Sequence, residues 1–77
     1  MKRETDLSTL ECGLTAHIRR VGDGCKIRKR LLDLGFTEGA EVCAVLGGRR
    51  RGIRAYEVCG TTIALRSADA EHVEVSL

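Results

Sequence analysis

Four cysteines and two histidines are the residues of this 77-residue chain best suited to chemistry: Cys12, Cys25, Cys43 and Cys59, with His17 and His72. Thiolates and imidazoles bind zinc-like metals, usually from closely spaced ligand pairs. No C-x-x-C or H-x-x-x-H occurs, and successive cysteines lie 13, 18 and 16 positions apart. A metal centre would need ligands converging from separate strands, so none is predicted; the remaining metal reading is a weak surface or intermolecular site using His17, His72 or Cys59. Cys43 sits within an apolar run and is expected to be a small core residue. Cys25 stands at an expected helix start, where a thiol can become reactive, but a structural role is the simpler expectation.

Nucleophilic catalysis has no support in the sequence. Ser8, Ser67 and Ser76 lack a G-x-S-x-G context, and neither histidine has a catalytic spacing. The chain is therefore expected to be no enzyme and to carry no cofactor. The run "GGRRRG" at positions 47–52 has the glycines and arginines of a phosphate cradle, without the G-x-x-x-x-G-K-[ST] order. It would also open into a strand instead of a helix N-terminus. Arg49, Arg50 and Arg51 could touch nucleic-acid phosphates, but Phe36 and Tyr56 are the only aromatics, too few for a stacking platform. Protein contact through these arginines is the better reading, since arginine is favoured at interfaces.

These residues must be positioned by a small scaffold. The length allows one domain over 1–77, near the size where a single core is marginally sufficient. Hydrophobic residues make up 43% and charged residues 31%, a folded rather than a disordered balance. The scarcity of aromatics leaves the core to Val, Leu, Ile and Ala. Thirteen basic side chains nearly cancel eleven acidic ones, so the net charge of +2 does not by itself imply nucleic acid. The charges are clustered, however: Lys26, Arg28, Lys29 and Arg30 form one basic group, and Arg49, Arg50, Arg51 and Arg54 another. No secretory h-region or run of about 20 apolar residues is present, which predicts a cytoplasmic protein without membrane insertion. In a reducing compartment the cysteines are expected to be free thiols.

Period-two alternation predicts strands at "TAHIRRV", "AEVCAVL", "IRAYEV", "TTIALR" and "HVEVSL". Leu7 and Leu10 are apolar anchors before the first of these. Ile27, Leu31 and Leu34 fall at i, i+4 and i+7, the stripe of a three-turn helix, with Asp23 as the expected N-cap. Gly35 should end that helix in the left-handed conformation, with Phe36 folding back on Leu31 as in a Schellman motif. Gly39 should supply the positive φ of the next turn, and Cys59 with Gly60 a two-residue hairpin. "SADAE" has room for one helical turn. The sum is a mainly β fold, a small partly open barrel of about five strands with one inserted α-helix.

"LSTLECG", "RLLDLGFTEGAEVCAV" and "YEVCGTTIALRSADAEHVEV", taken in this order, resemble the FeoA family, the small cytoplasmic accessory proteins of bacterial ferrous iron transport. The resemblance implies an SH3-like barrel, similar also to the C-terminal domain of diphtheria-toxin-repressor-type regulators. It implies a non-enzymatic partner of the FeoB-type ferrous iron permease, bound at the cytoplasmic face and assisting or regulating uptake. Candidate contacts on this view are Lys29, Arg30, Leu34, Gly35, Phe36 and Glu38 around the helix end, with Arg49, Arg50 and Arg51 of the loop. The alternatives are a nucleic-acid-binding basic barrel and a metal-binding or iron-sensing domain; a weak homo-oligomer is compatible with each. Two departures stand out. The loop lacks the "P-x-G-x-P"-like residues common in the family, and Cys12 replaces a common proline, which loosens that turn without obvious new chemistry.

Overall fold

The computed structural model describes residues 4–45 and 52–77. Its elements run β1 (Glu4–Asp6), a 3-10 turn (Leu7–Thr9), β2 (Thr15–Val21), α1 (Arg28–Asp33), β3 (Glu41–Ala44), β4 (Ile53–Val58), β5 (Thr61–Arg66), α2 (Ser67–Ala70) and β6 (Val73–Ser76). The six strands form one antiparallel sheet in the order β1-β6-β2-β3-β4-β5. Its two ends, β1 and β5, are not paired with each other, so it is a curled sheet of partly open barrel type, as expected.

Five strands lie where alternation puts them. The sixth, β1, has no pattern of its own and forms because Glu4, Thr5 and Asp6 pair with Ser76, Val75 and Glu74 at the far end of the chain. The 3-10 turn that follows is capped by the Asp6 carboxylate, which accepts from the Ser8 backbone N–H at 2.9 Å and also from the Ser8 hydroxyl. This cap delivers Leu7 and Leu10 into the core as anchors.

Within β2, Ala16 and Ile18 are buried and His17 and Arg19 exposed, but the next buried residue is Val21. The change of phase is a bulge. Ile18 faces Val75 while Arg20 faces Glu74, so Arg19 is the extra residue and strand alternation resumes after it with Val21 inward. Both bulge arginines find carboxylates, Arg19 on Glu4 and Arg20 on Glu74, the latter with Nε to Oε2 at 3.4 Å.

The expected three-turn helix is shorter. Backbone bonds from Cys25 to Gly22 and from Arg28 to Cys25 make turns, and α1 begins at Arg28 with Ile27 in the N-cap position and no side-chain cap. Asp23 does not cap it; its carboxylate lies 3.6 Å from Arg28 Nε, which donates to the Val21 carbonyl at 3.1 Å. An arginine one turn on offers this carboxylate a charged partner that the helix N-terminus does not match. The other helix end follows expectation. Phe36 N–H donates to Leu31 O at 3.0 Å and Gly35 N–H to Leu32 O at 3.2 Å, the two bonds of a Schellman motif, with Gly35 at φ +109°.

The core runs between the inner sheet face and α1. Val42, Val58, Val73, Val75, Ile18 and Leu31 fill it, but its two largest side chains are Tyr56 and Phe36. The expectation of a core built without aromatics is corrected here: the few aromatics are concentrated inside, because a large ring fills space that small aliphatic residues would leave open. Cys43 is corrected as well. It alternates with buried Val42 and Ala44 and so lies half-buried on the outer face, opposite Glu57.

Candidate docking groove

Three apolar residues of the helical segment, Ile27, Leu31 and Leu34, face Ile63 and Leu65 of β5 across a groove of about 550 Å³. Leu31 and Leu65 also belong to the core, whereas Ile27, Leu34 and Ile63 are half-buried. Ile27, Leu32 and Leu34 pack against the core while staying partly exposed, and Leu31 is fully buried.

Cations dominate the rim. Lys26, Arg30 and Arg66 line the groove with one carboxylate, Asp69, and His72 at the α2 end. One wall is β5, the last strand of the sheet, whose outer edge has no strand beside it among the described residues. An apolar floor, a basic rim and a free strand edge suit an extended or helical segment carrying apolar and acidic residues.

The residues singled out from sequence separate into three places. Arg30 and Leu34 line the groove, and Lys29 lies exposed on the same short helix. Glu38 lies elsewhere, in a second cleft of about 490 Å³ with His17 and Arg19. Phe36 is 0% exposed and cannot touch a partner; it anchors the join from inside. Gly35 is half-buried under the β4–β5 turn, where the Cys59 thiol approaches the Gly35 carbonyl at 3.8 Å. Arg49, Arg50 and Arg51 lie outside the described residues. Arg54, grouped with them by sequence, is instead a buried β4 residue.

Sequence reasoning missed Ile63, Leu65 and Arg66 as groove residues. "TTIALR" alternates as a strand should, but nothing in it tells which wall the strand will make. Ile27 had a signal: it begins a stripe one turn longer than the helix that forms.

No group of three or more His, Cys, Asp or Glu side chains among the described residues could hold a metal ion. The four thiols are free and scattered, with Cys25 buried, Cys43 half-buried, and Cys12 and Cys59 exposed. No helix among the described residues is long and apolar enough to cross a membrane.

Residues 5–77 match the model of the FeoA domain. The chain belongs to the FeoA family. It is 35% identical over 71 residues to an Fe(2+) transport protein A/Fe(2+) transporter FeoB fusion protein of Porphyromonas gingivalis (strain ATCC BAA-308 / W83), covering 92% of this chain and 8% of that protein. The chain thus spans a small fraction of the relative it matches. Among solved structures, Stenotrophomonas maltophilia FeoA, a procaryotic SH3 domain protein crystallised with zinc, superposes with a TM-score of 0.80 at 33% identity, covering 92% of this chain and 88% of that one. A manganese-dependent transcriptional repressor superposes with a TM-score of 0.82 at 16% identity, covering 97% of this chain and 42% of the repressor. That likeness is one of fold alone. FeoA is therefore the family frame for this SH3-like chain.

Proposed function

We propose that this FeoA-family chain is a non-enzymatic accessory of ferrous iron uptake that binds the cytoplasmic part of a FeoB-type permease. The observation that carries this reading is the relative in which a segment 35% identical to this chain is fused to FeoB. Joining two modules in one polypeptide makes their encounter intramolecular, which favours modules that act together. The groove between α1 and β5 is the docking surface, with Arg30 and Leu34 as contacts; Lys29, exposed on the same helix, is a further candidate contact. Gly35 and Phe36 contribute by fixing the helix end, and Glu38 faces a different cleft. The chain on this reading is cytoplasmic and reaches the membrane through its partner.

The nucleic-acid reading rests on Arg49, Arg50 and Arg51, outside the described residues, and gains nothing from Tyr56 or Arg54. Tyr56 is 1% exposed and unable to stack on a base, and Arg54 is buried beside it.

Affinity capture under anaerobic conditions from detergent-solubilised membranes tests the proposal. Retention of a FeoB-type permease at moderate salt supports it. Recovery of nucleic-acid complexes with no permease overturns it.

A further inference from the structure

Arg54 is a cation pointing inward with no carboxylate paired to it among the described residues. It is 5% exposed. Its Nη2 donates to Cys12 Sγ at 3.2 Å and its Nη1 to the Ser8 carbonyl at 3.5 Å, while Nε has no partner among the described residues. The guanidinium carbon stands 5.6 Å from the centre of the Tyr56 ring. Ion pairs among the described residues are Arg19–Glu4, Arg20–Glu74 and Arg28–Asp23, and none involves Arg54. Burying a guanidinium without an anion is costly, and a sulfur is a weak acceptor. What the arrangement lacks is a negative charge at the place where Cys12 Sγ stands.

Cys12 is an exposed residue on the turn between the 3-10 segment and β2. Reactive cysteines sit in electropositive, partly exposed surroundings. Cys59 provides the contrast within the same molecule: it is also exposed, but its sulfur meets the Gly35 carbonyl.

We propose that Cys12 is a modification site for hydroperoxides, with Arg54 as the residue that positions the sulfur and holds the oxidised product. The sulfur attacks one peroxide oxygen; an S–O bond forms as the O–O bond breaks. The sulfur is oxidised by two electrons to sulfenic acid, and the peroxide is reduced. The departing hydroxide, or alkoxide from an alkyl hydroperoxide, takes up the proton given up by the thiol and leaves as water or as an alcohol. Arg54 stabilises negative charge as the O–O bond breaks, and the new oxygen is a stronger acceptor for a guanidinium N–H than sulfur is. This assigns chemistry to a position where the sequence suggested only a looser turn. It is independent of permease binding, because neither Cys12 nor Arg54 lines the docking groove.

The test treats the full, reduced chain, free of metal, with limiting hydrogen peroxide in the presence of dimedone, and reads labelling at each cysteine by mass spectrometry. Cys12 is expected to label about tenfold faster than Cys59, a gap of the size a neighbouring cation can produce. Arg54→Gln should bring Cys12 down to the Cys59 rate. Cys25 is buried and so reports unfolding: if it labels in Arg54→Gln, the comparison passes to Arg54→Lys, which keeps the charge but not the planar fork and should give an intermediate rate. Equal labelling of Cys12 and Cys59 in the unmodified sequence overturns the proposal, as does an unchanged Cys12 rate in a folded Arg54 variant.

Discussion

A Cβ added to Gly35 would stand 2.9 Å from the Sγ of Cys59, closer than such atoms pack. The end of α1 and the tip of the β4–β5 hairpin are thus locked together at a position where glycine is required twice, once for its φ of +109° and once for lack of space. Gly35→Ala should destabilise the chain by about 2 kcal/mol, combining the left-handed penalty with displacement of the hairpin tip. Thermal unfolding of Gly35→Ala and of Gly35→Ala with Cys59→Gly checks the second part. The double variant should be more stable than the sum of the two single effects.

Cys59 is itself held at φ +50°, followed by Gly60 at +76°, the two left-handed residues of a type I′ hairpin. Asparagine is the preferred first residue of that turn. Cys59→Asn should raise stability by about 0.5 kcal/mol, seen as a small upward shift in Tm, because its side chain tolerates the left-handed region better than cysteine does.

The Tyr56 hydroxyl donates to the Leu7 carbonyl at 3.3 Å, tying β4 to the N-terminal 3-10 turn inside the core. Tyr56→Phe keeps the ring and removes that donor. A loss of about 1 kcal/mol is expected in chemical denaturation, with an unchanged m-value, since the packed surface is the same.

Groove binding should respond to charge more than to fold. Arg30→Glu with Arg66→Glu reverses two rim charges on exposed residues and should leave stability within about 0.5 kcal/mol of the parent. Capture of the FeoB-type permease should fall at least about tenfold and become less sensitive to salt. Leu34→Asp should abolish capture and also cost about 2 kcal/mol of stability, because Leu34 packs partly on the core. Undiminished capture by the double charge reversal would remove the groove from the binding model.

Glu74 pairs with Arg20 at the bulge, but both side chains are about half exposed. Glu74→Gln should change stability by less than about 0.5 kcal/mol, as screened surface pairs usually do. A much larger loss in thermal unfolding would mean that this pair fixes the bulge register.

Local signals in the sequence determined the features that are themselves local. Leu31 through Phe36 carries its own helix stop, because glycine at position 35 permits a conformation that its neighbours resist, and the Schellman bonds close within six residues. Cys59 and Gly60 specify a hairpin for the same reason, and alternating side chains give five of the six strands directly. Together with the ordered family segments, these features made the SH3-like fold legible.

The tertiary structure decided whatever depends on pairing across the chain. β1 is three polar or charged residues that become a strand when β6, some seventy positions later, supplies its hydrogen bonds. Arg54 reads as one more member of a basic group until β4 turns it inward beneath Ser8 and Cys12. Arg30 and Glu38 are eight positions apart, and a glycine turn sends them to different clefts. Ile63 and Leu65 become a groove wall when β5, at the end of the sheet order, meets the helical segment. Alternation says which side chains share a face of a strand; which strand stands beside it, and what that face meets, is fixed by long-range packing.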